Sequence, residues 1–224
     1  MKALLNQIFI YLFAAIFMWG CKKDVVDGTL KEATYQVTFE FFWDAQTYPT
    51  DYPSNAHFSR LIGWSHQPQS DFFQLGTMAS TGIKDMAERG KTTPLDNEIT
   101  TKINSKEGLE LFIGDPLSTG TGTITATLNV NQKHSCITLV TMLAPSPDWY
   151  AGVININLLE NGEFVESKVV DGLVYDAGTD SGITFTSADS ITTPPQPIAL
   201  MIEQPLGDGN SLTPPLAKVR FVKL

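Results

Sequence analysis

From Gly122 to Lys223 the chain is cut into short runs by Gly, Pro, Asn and Asp, and that rhythm restricts the fold more than any other feature. Ile124, Ala126, Leu128 and Val130 alternate with threonines and Asn129. Ser135 to Leu143, Ala151 to Leu159, Glu163 to Val170, Gly182 to Ser187, Ile198 to Gln204 and Leu216 to Lys223 follow. Asn161-Gly162 separates two of these runs and marks a hairpin, because both residue types accept the positive φ of a tight primed turn. Upstream, Tyr35, Val37, Phe39, Phe41 and Trp43 alternate with Gln36, Thr38 and Glu40. A side-chain period of two sends one face to a core and the other to water. Short strands in series, with turns at regular spacing, specify an all-β, antiparallel β-sandwich. One short helix is expected over Thr77 to Arg89, where Met78, Ile83, Met86 and Ala87 recur at helical spacing and Gly90 acts as a stop. Leu95 to Leu111 reads as weakly helical, and residues 44–57 as a loop with two prolines.

The first 20 residues stand outside this pattern. Lys2 is the only charge before Lys22, and Ala3 to Trp19 is apolar apart from Asn6-Gln7. A short positive segment followed by an apolar stretch of this length is an export signal rather than a spanning helix. The run closes on Gly20-Cys21, which resembles a bacterial lipoprotein signal and implies lipidation of Cys21. Residues 1–20 are then the signal peptide, 21–33 a charged tether and 34–224 one folded domain. The expected location is that of an outer membrane lipoprotein, periplasmic or surface-exposed, held to the membrane by its N-terminal lipid only. Cys136 is then the sole remaining cysteine, so no internal disulfide is available. A net charge of −9 provides no basic footprint for phosphates, which excludes nucleic acid as a partner.

Catalytic signatures are missing from the sequence: it has no G-x-S-x-G elbow, no H-E-x-x-H and no phosphate-binding glycine loop. Two histidines near serines, His57 with Ser59 and His66 with Ser65, leave open an envelope hydrolase acting on a glycan or ester. The acidic loops carry more information. Ser146-Pro147-Asp148-Trp149 puts one carboxylate between two strands, and Asp176-Ala177-Gly178-Thr179-Asp180 puts two more in another inter-strand loop. Sandwich loops gather at two ends, so Asp148, Asp176 and Asp180 have a route to convergence. An oxygen-only set of that kind suits Ca²⁺. The competing reading is turn chemistry, in which each aspartate caps its own loop and the domain is a spacer. Phe42, Tyr48 and Tyr52 stand where exposed rings for sugar stacking are expected.

At these same residues the chain resembles the spondin domain, the N-terminal module of F-spondin and mindin. The shared blocks run in order: Tyr35 to Trp43, Asp51-Tyr52-Pro53, His57-Phe58-Ser59, Ile62-Gly63 with Ser65-His66, and Ala79 to Lys84 with Ala87 to Gly90. Thr141-Met142, Pro145 to Trp149 and Tyr175 to Gly182 complete them. The resemblance implies a C2-like strand topology and a Ca²⁺ site held by Asp148, Asp176 and Asp180, with the Tyr175 backbone carbonyl as a further ligand. It implies a calcium-dependent adhesion or ligand-binding module rather than an enzyme. The animal members' cysteine pair has no counterpart in Leu158 to Phe164. The partner is left open among a glycan, a matrix component and another envelope protein.

Overall fold

The computed structural model describes residues 30–212 and 214–224. The signal segment, Cys21 and the tether up to residue 29 lie outside the described residues. The chain enters through β1 (Glu32–Phe42) and passes β2 (His57–Phe58) and β3 (Ile62–His66) before two helices, α1 (Thr81–Arg89) and α2 (Leu95–Asn104). Four strands follow: β4 (Gly108–Ile113), β5 (Thr121–Asn131), β6 (Cys136–Ala144) and β7 (Trp149–Asn157). A hairpin of β8 (Leu159–Glu160) and β9 (Glu163–Phe164) leads to β10 (Ser167–Asp176), β11 (Ala199–Leu200) and β12 (Ala217–Lys223). The main sheet runs β4-β3-β6-β7-β10-β12-β1-β5, and its pairings are antiparallel. Its two edges meet: Glu110 of β4 accepts from the Asn129 backbone N–H of β5 at 2.6 Å and from its side-chain amide at 3.0 Å. The sheet thus curls almost closed into an all-β sandwich, and an edge N–H finds a partner instead of a second chain.

The expected alternation of β1 is met, with Tyr35, Val37, Phe39, Phe41 and Trp43 buried and Gln36 and Glu40 exposed. Every residue of β6 is buried. Its inner face joins the sandwich core, while Val140 and Met142 pack outward with Trp64, Phe73 and Tyr150 beneath Ile83, Met86, Leu95 and Ile99 of the helices. Two short helices are therefore present: the expected one, and a second at the start of the weakly helical stretch. The weakly helical stretch divides: α2 ends at Asn104, Lys106 adopts φ 68°, and Gly108 opens β4. Gly108 lies so close to Trp64 that a Cβ would stand 2.4 Å from its ring, a contact that fixes β4 against β3.

Two further expectations are corrected. Gly182 to Ser187 is not a strand, although Ile183 and Phe185 alternate with threonines. The upper part of β10 already pairs with β7 and β11, and the segment instead drives Phe185 into the core against Trp43 and Trp149, with centroids at 5.2 and 5.5 Å. Ile198 to Gln204 pairs only through Ala199 and Leu200. The hairpin holds as predicted: Asn161 and Gly162 have φ of 51° and 80° between Glu160 and Glu163.

Helix α1 is stitched to α2 by one side chain. Ser80 caps it through Ile83 N–H at 3.1 Å, and Glu98 of α2 accepts from Ser80 Oγ at 2.6 Å and from Gly82 N–H at 2.8 Å. A carboxylate at a helix N-terminus satisfies orphan donors and meets the positive end of the helix dipole. Replacing Glu98 by Ala is expected to cost about 1–2 kcal/mol, because the donor pair loses its charged acceptor. Urea unfolding of the variant beside the parent chain checks this.

Candidate calcium-binding loop end

Asp148 closes the β6–β7 hairpin and follows strands with no solvent face. It is fully buried. Its Oδ2 accepts from the Thr179 N–H at 2.6 Å, the Asp180 N–H at 3.0 Å and the Thr179 hydroxyl at 3.2 Å. Its backbone carbonyl also accepts from Ala177 N–H at 3.2 Å. Its other oxygen, Oδ1, is buried and has no hydrogen-bond partner among the described residues. Burial and then the nearby Asp176 push the Asp148 carboxyl up to about 6, against the pull of the three donors.

Asp176 ends β10, across from Trp149. Its Oδ2 accepts from the Trp149 indole N–H at 3.2 Å and its Oδ1 from Gly178 N–H at 2.7 Å. Burial raises its carboxyl as well. Asp180 closes the neck of the next loop, accepting from Gly182 N–H at 2.7 Å and Ser190 N–H at 2.8 Å. Tyr175 lies one residue inside β10, between Tyr150 of β7 and Leu200 of β11. Its ring is buried against Tyr150 at 5.2 Å, and both phenol oxygens are buried without a hydrogen-bond partner among the described residues.

The fold thus gathers all three aspartates at one end, through hydrogen bonds from one loop to the carboxylate of another. As they stand, each carboxylate is turned to backbone N–H groups. Among the described residues no group of three or more His, Cys, Asp or Glu side chains is arranged to hold a metal ion. The donor chemistry nevertheless suits a hard cation: it is oxygen only, and while Asp148 Oδ2 is fully engaged, the oxygens of Asp176 and Asp180 hold one donor each and keep a second lone pair to offer. The orphaned Asp148 Oδ1 is the strongest feature, since a buried acceptor without a donor carries a desolvation penalty that a cation removes.

The histidines do not form nucleophile pairs. His57 Nδ1 meets the Asn55 carbonyl at 2.7 Å. His66 is buried, with Nδ1 at 2.8 Å from the Gln67 carbonyl and Nε2 at 2.8 Å from Thr138 Oγ1. Thr138 Oγ1 in turn accepts from Asn155 N–H at 2.8 Å, at the bulge where β7 slips against β6. The Gln67 carbonyl can only accept, so Nδ1 carries the proton and Nε2 accepts from the threonine. His66 is therefore a neutral strut, and no hydrogen bond joins either ring to Ser59 or Ser65 among the described residues. Cys136 is buried, and burial pushes its thiol up to about 11, which suits a small core residue and not a nucleophile. Neither this strut nor the Glu98 stitch is legible from local sequence, because Thr138 and Glu98 lie on elements far along the chain from the groups they hold.

The strand order and the loop end together define an all-β module with an acidic loop cluster at one end. The sequence profile of the Spondin_N family matches residues 33–211, and the chain belongs to that family. It is 33% identical to rat Spondin-2 over 204 residues and 32% identical to human Spondin-2, covering 86% of this chain and 62% of either relative. Bovine Spondin-1 is 32% identical over 173 residues, 74% of this chain and 21% of that protein. The chain thus spans about three fifths of the Spondin-2 relatives and a fifth of Spondin-1.

Two pH effects follow from these surroundings. Burial holds the His66 ring down to about 4, so it stays neutral where an unfolded histidine, near 6.5, is already charged. The unfolded state then binds the extra proton, and stability falls as pH drops from about 6.5 to 4, by about 3 kcal/mol in all. Ring-resolved NMR titration should show His66 neutral at pH 5. Asp148 works in the opposite sense: the fold holds its proton more tightly than the unfolded chain, so its contribution is lost as pH rises from about 4 to 6. Asp148→Asn keeps an acceptor for Thr179 and Asp180 without the buried charge. At pH 7 with chelator the variant should unfold about 1–2 kcal/mol later than the parent chain.

Proposed function

We propose that this chain is an exported, lipid-anchored calcium-binding module that holds a ligand at the cell envelope. The observation that carries the reading is the buried, unpartnered Asp148 Oδ1 beside Asp176 and Asp180, in loops already tied to each other. Calcium would be held by these three carboxylates, with the Tyr175 carbonyl as a backbone ligand, and would supply the positive charge that the cluster lacks. The ion's work is structural: it fastens the β6–β7 hairpin to the loop after β10, and no turnover is assigned to it.

The exposed surface beside the cluster supports binding rather than spacing. Ile183 and Ile191 are 77% and 78% exposed on the loop that Asp180 closes. That loop is held rigidly by buried Phe185, so two large apolar side chains are displayed rather than left to collapse. The direction of the strands adds an orientation. Near the start of β1, Tyr35 pairs with Lys223 of β12, whose neighbour Val222 pairs with Ser167 of β10. Near its end Phe41 pairs with Ala217, Ala217 pairs with Gly172, and β10 runs on four residues in the same direction to Asp176. Eleven residues of strand span about 35 Å. A tether through Cys21 would attach at the near end and leave the acidic loops pointing away from the membrane, free to meet a glycan, a matrix component or another envelope protein.

Thermal unfolding with calcium or EGTA tests the ion. A hundredfold excess over Kd stabilises by about 2.7 kcal/mol, a rise of roughly 5–10 °C for a domain of this size. The rise should vanish in an Asp148→Ala, Asp180→Ala double variant. Equal melting of parent chain with and without calcium would remove the ion from the reading and return the aspartates to turn chemistry.

A further inference from the structure

We infer that the hollow between the 44–53 loop and the 182–187 loop is a binding site for a pyranose ring with vicinal hydroxyls. It goes beyond the calcium reading and uses none of its three aspartates. The hollow has a volume of about 550 Å³, within the range of sites that hold a small organic ligand. It opens to solvent between two walls of different origin.

The first wall is built in advance of any ligand. Asp44 Oδ1 accepts from Gln46 and Thr47 N–H, both at 2.8 Å, and starts the loop. Tyr48 is buried, not exposed as its place in the sequence led one to expect, and its hydroxyl donates to the Pro214 carbonyl at 2.6 Å. Tyr52 donates to the Trp43 carbonyl at 3.0 Å, with its ring half exposed over Trp43. Pro49 and Pro53 fix their own φ on either side of Asp51. Asp51 itself sits at φ 52°, a conformation that side-chain-bearing residues avoid, and is exposed at the rim. Its carboxylate meets no donor among the described residues.

The second wall is equally fixed. Phe185 is buried between Trp43 and Trp149, and Ser187 Oγ accepts from Ile183 and Thr184 N–H at 3.2 and 3.0 Å. The hydroxyl-bearing side chains of Thr184 and Thr186 face the hollow. Thr184 shares its hydroxyl with Ser187 at 2.9 Å, while Thr186 is exposed.

The lining chemistry selects the ligand class. Among the described residues no cation lines the hollow, so phosphates and carboxylates meet repulsion from Asp51. One carboxylate is too few for a metal, and the polar rim is wrong for a lipid chain. A neutral polyhydroxylated ring meets each requirement. Two adjacent hydroxyls donate to the two oxygens of Asp51, Thr186 offers a donor and acceptor across the gap, and the C–H face of the ring rests on Tyr52 and the exposed Pro49. Because both walls are held before binding, little ordering is left for the sugar to drive.

The test is saturation-transfer NMR on the full chain in a detergent without a sugar headgroup, with calcium present. The probes are the methyl pyranosides of glucose, mannose and galactose, each at about 10 mM, where a millimolar site is largely filled. At least one should receive saturation from the protein. Asp51→Asn tolerates the same φ and removes only the charge, and Thr186→Val removes only a hydroxyl. Unchanged melting temperatures establish that both variants fold. Affinity should fall roughly tenfold or more in Asp51→Asn, the range of a charged hydrogen-bond pair, and less in Thr186→Val. Silence from all three glycosides overturns the site. So does binding that survives either substitution at full strength, because the ring would then not lie between the two walls.

Discussion

A strand with no solvent face sets the terms for the rest of this molecule. All nine residues of β6 are buried, as are the first five of β7. One face of that hairpin is covered by β1, β5 and β12 across the core, and the other needs a cover from outside the sheet. The two helices are that cover. They carry Ile83, Met86, Leu95 and Ile99 inward, and Glu98 locks one helix to the start of the other. Anything placed at the turn of such a hairpin is drawn out of water with it, and what stands there is Asp148.

A carboxylate in that position has to be compensated locally. Three donors reach one of its oxygens and none reaches the other. The donors all come from residues 179 and 180, so the same contact that solvates the charge also joins two loops that are thirty residues apart in the chain. Asp176 is near enough to raise the Asp148 carboxyl further. The cluster is thus under tension as long as no positive charge enters it. A proton relieves that tension, and the proposed cation would compete with it for the same oxygen.

Local periodicity made much of this legible, and its failures have physical causes. β1, β5 and the Asn161-Gly162 hairpin were readable because each has one wet face or one obligatory turn conformation. The convergence of Asp148 with Asp176 and Asp180 was readable from the rule that sandwich loops gather at the ends. What a ladder offers as partners was not readable. Gly182 to Ser187 alternates like a strand, but β10 has both neighbours filled at that height, so Phe185 became a plug. Leu95 to Leu111 carries the charges of a weak, exposed helix, yet its last residues belong to β4, where Glu110 satisfies the edge of β5. His66 looked like chemistry beside a serine, and Thr138 and Gln67 turn it into a strut.

The segment from Asp180 to Ile191 joins these threads. Its neck is closed by the Asp180 carboxylate, which holds Gly182 and Ser190 together and is itself joined to Asp148 through its backbone N–H. Its middle is pinned by Phe185, and its outer surface lines the hollow through Thr184 and Thr186. One rigid loop therefore has the acidic cluster at its base and the hydroxyl-lined wall on its side. The wall is thus in place before either site is filled, and the Asp51 carboxylate opposite it takes no part in the acidic base.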